Sequence, residues 1–127
     1  MTVDEQHIRS TIERYWAAFT AGDRDGWLAL YADDATIEDP VGSGVRCGKD
    51  GIGAFWDESR AMADSIELRG SILNVCGDEV AFAMEVRPTI GGTVFTMTAI
   101  DVMHFDADGR IATMRAFWQA DQLRPAD

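Results

Sequence analysis

The apolar residues of this chain change their spacing once, at about Ser65, and that switch limits the folds open to it. Before it, Ile8, Ile12, Tyr15, Trp16 and Phe19 recur three and four apart, as one stripe of a helix does. Thr2 with Glu5 reads as the capping box that starts this helix, and Gly22 as its stop. Asp23 can cap a second, short helix carrying Trp27, Leu28, Leu30 and Tyr31. Ala35 to Asp39 alternates as a strand and ends at Pro40, and Val41 to Gly48, with its glycines, reads as a loop. Asp50 can cap a third helix with Ile52, Phe55, Trp56 and Met62 on its apolar side. From Ser65 onward the period is two, which predicts strands over 65–75, 79–89, 93–105 and 110–119. Cys-Gly-Asp, Gly91-Gly92 and Asp-Ala-Asp-Gly109 separate them as turns. Helices first and an antiparallel meander after them predict an α+β domain, with the helices on one face of a curved sheet. A chain of 127 residues has room for one such domain, residues 1–127, and no second.

Charge narrows the partners. Eleven Lys and Arg against 22 Asp and Glu leave a net charge of −11, which repels phosphate backbones and anionic membranes. Nucleic acid and lipid surfaces are therefore not expected partners, and a neutral, apolar ligand suits the chain better than an anion. The longest uncharged run, Pro88 to Ile100, contains Gly91-Gly92 and is too short to span a bilayer. The start, MTVDEQHIR, has no apolar signal-peptide core, so a cytoplasmic location is expected. Cys47 and Cys76 read as idle or buried free thiols in a reducing compartment. The acidic cluster Asp33, Asp34, Glu38, Asp39 lacks the spacing of a calcium loop, and no metal is expected.

The informative residues break their own pattern. On the strand 93–105, Phe95, Met97, Ala99, Asp101, Met103 and Phe105 share one face, so Asp101 stands in an otherwise apolar row. An uncompensated carboxylate there costs several kcal/mol, and the usual outcome is a raised pKa and a neutral acid able to donate a hydrogen bond. The rival reading is a wet strand-edge or salt-bridged acid. Asp39 likewise follows Ala35 and Ile37 on one parity, and either aims off the strand end into what the sheet encloses or merely opens an Asp-Pro turn. Tyr15 sits in the middle of the first helix's stripe, where a core tyrosine is the plain reading. Together, two acids and a phenol directed inward make a dry pocket with a base and two proton donors. Proton abstraction beside a carbonyl needs that set.

Five segments carry a resemblance: Arg14-Tyr15-Trp-Ala-Ala, Ala21-Gly22-Asp23, Tyr31-Ala-Asp-Asp-Ala-Thr-Ile-Glu-Asp39-Pro-Val-Gly-Ser, Ala99-Ile-Asp101, and Gly109-Arg-Ile-Ala-Thr-Met-Arg-Ala-Phe-Trp118. From about Ile8 to Trp118 the chain resembles bacterial Δ5-3-ketosteroid isomerase. The resemblance implies a cone-shaped, nuclear-transport-factor-2-like α+β fold, a homodimer without cofactor, and a steroid substrate. It further implies Asp39 as the base carrying a proton from C4 to C6, with Tyr15 and Asp101 as donors to the oxygen at C3. By the same resemblance Tyr31 belongs to a hydrogen-bonded network behind Tyr15. Trp56 departs from the family, which commonly has a tyrosine there. Trp118 matches an aromatic lining the steroid cleft, and Met84, Val86, Met103 and Met114 are expected beside it, whereas Phe55 and Trp27 are read as core. His7 and His104 are not placed to pair with the acids. The competing function is a polyketide-cyclase-like or small apolar-ligand-binding member of the same superfamily.

Overall fold

The computed structural model describes residues 3–127. Helix α1 (Glu5–Ala21) buries Ile8, Ile12, Tyr15 and Phe19, the stripe its spacing demands. The expected cap at Thr2 lies outside the described residues. Asp4 caps α1, accepting the His7 amide at 2.8 Å. Gly22 ends it in the left-handed region at φ 75°, where a side chain would be strained. Helix α2 (Arg24–Leu28) follows, with Asp23 accepting from the Gly26 amide at 3.0 Å.

Strand β1 (Tyr31–Glu38) begins earlier than the alternation indicates. Tyr31 belongs to it and not to the second helix, because the Leu30 carbonyl already accepts the Ile111 amide at 2.9 Å and draws the chain into the sheet. The stretch read as a loop holds a two-residue strand, β2 (Arg46–Cys47), paired antiparallel with β1. Helix α3 (Gly48–Ala61) starts before Asp50, with Cys47 at its N-cap and no side-chain cap. Asp50 lies in the first turn instead, where its charge complements the helix dipole.

The meander is β3 (Ser65–Cys76), β4 (Glu79–Ile90), β5 (Thr93–Phe105) and β6 (Ile111–Phe117). Sheet order is β2-β1-β6-β5-β4-β3, antiparallel except for β1 and β6, which run parallel. A 3₁₀ turn (Ala120–Gln122) and a short β7 (Arg124–Pro125) lay the C-terminal segment along Phe95 and Thr96 of β5. Helix α1 packs on β3 and α3 on β1. At Gly70 the approach of α1 is so close that a Cβ would sit 2.1 Å from the Trp16 ring, and the β3–β4 register shifts just beyond it. That irregularity bends β3 around the helix and curves the sheet. Cys47 and Cys76 are both exposed and free, so neither is a buried thiol. Among the described residues no helix is long and apolar enough to cross a membrane.

Candidate active site

The inward faces of the long strands form rungs: Phe82 opposite Asp101, Met84 opposite Ala99, Val86 opposite Met97. Asp101 pairs on its other side with Ala116 of β6. A cavity of about 250 Å³ runs along these rungs between sheet and helices. Asp101, Ala116 and Tyr15 form its inner end, and Ile90, Leu123 and the largely exposed Met62 mark the opposite rim. Asp39 and Trp118 face it from the ends of β1 and β6. The lining is apolar apart from Tyr15, Asp39, Asp101, the Trp118 indole N–H and Ser59, whose hydroxyl is engaged with the Phe55 carbonyl at 2.8 Å.

Tyr15 and Asp101, separated by most of the sequence, meet through β4: the Tyr15 ring packs edge-on against Phe82, whose strand partner is Asp101. Asp101 is fully buried, and neither of its carboxylate oxygens has a hydrogen-bond partner. Burial first, then the nearby Asp39 charge, pushes its pKa well above the usual carboxylate value, against a smaller opposing pull from Tyr15. The shift favours the neutral acid, the form that has a proton to give. Tyr15 is buried and held well above the ordinary phenol pKa, chiefly by burial and then by Tyr31, Asp101 and Asp39, so it too keeps its proton. The Tyr15 hydroxyl interacts with both Tyr31 and Asp101 without closing to a full hydrogen bond with either, and the Tyr31 hydroxyl is itself buried and unpartnered.

Asp39 differs. It is half-buried because one side opens to the cavity, and its Oδ1 accepts the Trp118 indole N–H at 2.5 Å. Desolvation raises its pKa to about 6, while the Trp118 hydrogen bond and the Arg46 charge restrain the rise. Above about pH 6 this carboxyl is ionised, the form that a general base needs. Two carboxyls in one apolar cavity, raised to different extents by their surroundings, can divide the labour of base and proton donor that enolisation needs.

The pocket walls correct several expectations. Met84, Val86 and Trp118 line the cavity. Met103 and Met114 do not: they face each other one rung beyond Asp101, wholly buried where α1 closes the core. Phe55, read as core, lines the cavity, and so do Phe19, Ile66, Leu68 and Met97. The inward parity of Met97 was a usable signal; for Leu123, in a segment without periodicity, there was none. Trp27 is core, in contact with Tyr15, Phe19 and Tyr31. Trp56 and Tyr31 lie behind the lining. Trp56 packs on Phe19 at 4.8 Å and Trp27 at 5.1 Å, under the Arg60 guanidinium. Among the described residues no hydrogen bond joins its indole to Tyr15. His104 pairs with Asp78 and His7 with the Gly109 carbonyl, both away from the cavity.

A curved mixed sheet wrapped on helices around an apolar, acid-bearing cavity is the nuclear-transport-factor-2-like architecture, and the chain belongs to the SnoaL-like domain family, matched over residues 12–114. It is 39% identical over 111 residues to the steroid Delta-isomerase of Nocardioides simplex, covering 87% of this chain and 89% of that one. At that likeness the chain is an enzyme of the isomerase class. Two solved structures share the fold closely. One is SalBIII, described as an epoxide hydrolase/cyclase-like enzyme of pyran ring formation in the polyether salinomycin, with a TM-score of 0.87, 26% identity, and 96% and 98% of the two chains covered. The other is RV0760c of Mycobacterium tuberculosis in complex with estradiol-17beta-hemisuccinate, with a TM-score of 0.81, 26% identity, and 93% and 98% covered.

Proposed function

We propose that the protein is a steroid Δ-isomerase converting 3-oxo-Δ5-steroids to 3-oxo-Δ4-steroids. Asp39 takes a proton from C4, the electrons move into a dienolate, and the protonated Asp39 returns the proton to C6. The developing oxyanion at C3 accepts hydrogen bonds from Tyr15 and from neutral Asp101. The observation that carries this reading is that Asp39, Asp101 and Tyr15 face one apolar cavity, where burial raises the Asp39 pKa to about 6 and that of Asp101 well above the usual carboxylate value. The named isomerase relative and the estradiol-derivative complex of a structural neighbour support a steroid as ligand. The protein works without a cofactor, as a cytoplasmic homodimer in this reading.

The test is ultraviolet detection of the conjugated enone from 5-androstene-3,17-dione. Wild type forms it, and Asp39→Asn loses on the order of 10²–10⁴-fold in turnover while still binding a phenolic steroid. Near-wild-type turnover in Asp39→Asn contradicts the assignment of the base. A second reading, an epoxide-opening cyclase, is favoured by the SalBIII likeness. There Asp101 protonates the epoxide oxygen while Asp39 deprotonates the attacking hydroxyl. Ring closure of a hydroxy-epoxide without any steroid isomerisation selects it.

A further inference from the structure

One cation, Arg46, stands on the same face of the sheet edge as Asp39, and strand register puts it there. β1 and β2 pair with Ile37 opposite Arg46, so Arg46 takes the inward face of Ile37 and is diagonal to Asp39, one residue past the end of β1. Diagonal neighbours on one face of an antiparallel pair lie roughly 7–8 Å apart, within reach of a long side chain. The guanidinium is fixed in place. Glu58 of α3 grips it in a two-pronged pair, Nη2 to Oε1 at 2.7 Å and Nη1 to Oε2 at 3.0 Å. Its carbon stands 5.7 Å from the ring centre of Phe55, which walls the same cavity as Asp39.

We propose that Arg46 is a positioning residue for the base: clamped by Glu58 above Phe55, it holds a positive charge beside Asp39 and keeps that carboxylate ionised. This rests on the reading of Asp39 as the base. Among the described residues, the other groups around Asp39 do not supply a positive charge. Tyr15 from α1, Tyr31 from β1 and Asp101 from β5 are acids, and Trp118 beyond β6 is a neutral donor. Glu58 from α3 is engaged with Arg46, and Arg115 of β6 is drawn to Glu38, which takes the parity opposite to Asp39. The direction of the Arg46 effect on Asp39, downward against burial, agrees with this placement.

The experiment is a carbon NMR titration of aspartate-labelled protein, with the Asp39 carboxyl assigned by its loss in Asp39→Asn, in wild type, Arg46→Met and Arg46→Lys. The pH profile of kcat/KM is recorded on the same proteins. A charge at this distance, half-exposed and opposed by Glu58, gives a modest effect. Arg46→Met is expected to move the Asp39 midpoint up by about half a pH unit, with about threefold lower kcat/KM on the acid limb and little change above it. Arg46→Lys keeps the charge and restores most of the midpoint. An unmoved midpoint in Arg46→Met, or a lysine variant that behaves like the methionine one, overturns the proposal. A midpoint that moves while isomerisation is absent or does not follow it leaves the role of Arg46 standing and removes the base assignment.

Discussion

At the scale of residues, the site is a pair of carboxyls whose surroundings drive them apart. Raising the Asp39 pKa from 3.8 to about 6 means the folded chain binds that proton more tightly than the unfolded chain. The contribution is fully favourable below 3.8 and is lost as pH rises through about 6. Asp39→Asn, neutral at every pH, should therefore be more stable than wild type at pH 8 by up to about 3 kcal/mol, a gain that shrinks to about 0.5 kcal/mol at pH 4. Urea unfolding at both pH values measures this; an equal difference at both contradicts it. Behind the lining, Tyr15→Phe should cost far more turnover than Tyr31→Phe, since in the proposed mechanism only Tyr15 meets developing charge. Trp56→Phe should change turnover only a few fold, because its indole packs on Phe19 and Trp27. Turnover of the three variants decides it, and a Trp56→Phe loss matching Tyr15→Phe would place the indole in the network. The inward placement of Asp39, Tyr15 and Asp101 was legible from strand and helix parity taken together, although Tyr15 alone reads as core and Asp39 alone as a turn opener. The unbonded gap between Tyr15 and Tyr31 was not legible, since it depends on how α1 settles on β3 and on Trp27, which packs against both rings.

At the scale of elements, the strands from Ser65 to Phe105 were readable to within a residue. Period-two alternation runs through them, broken only by the parity change between Gly70 and Leu73 in β3, and the separating glycines Gly77, Gly91 and Gly92 all adopt positive φ. Parity showed which side chains face inward but not how far along the strands the cavity extends. Hence Met103 and Met114 were expected in a pocket that ends one rung short of them. The parallel pairing of β1 with β6 and the edge strands β2 and β7 had no local signal, because two-residue strands exist only through their partners. The C-terminal segment supplies part of the rim through Ala120 and Leu123, held by the β7 pairing and by the Ala126 amide on the Val94 carbonyl at 2.9 Å. Deleting residues 120–127 should leave the circular dichroism spectrum unchanged. KM should rise on the order of tenfold, as expected for losing one leucine-sized apolar contact, with kcat largely kept. A collapse of kcat with unchanged KM would contradict a role confined to the rim.

At the scale of the whole molecule, an acidic surface encloses an apolar cavity, and the two fit one kind of ligand. The net charge of −11 disfavours anions, and among the described residues the far end of the cavity is lined by Met62, Ile90 and Leu123, which have no polar side-chain donor. A neutral, rigid, apolar body with one carbonyl at its leading end satisfies both, and the acids at the inner end then meet that carbonyl. The account depends on those acids being in opposite charge states at the same pH. Carboxyl infrared spectroscopy at pH 7.5, comparing wild type with Asp39→Asn and Asp101→Asn, reads both directly. The account predicts that Asp39→Asn removes a carboxylate band and Asp101→Asn removes a protonated-carboxyl band. Loss of a carboxylate band in Asp101→Asn would contradict it.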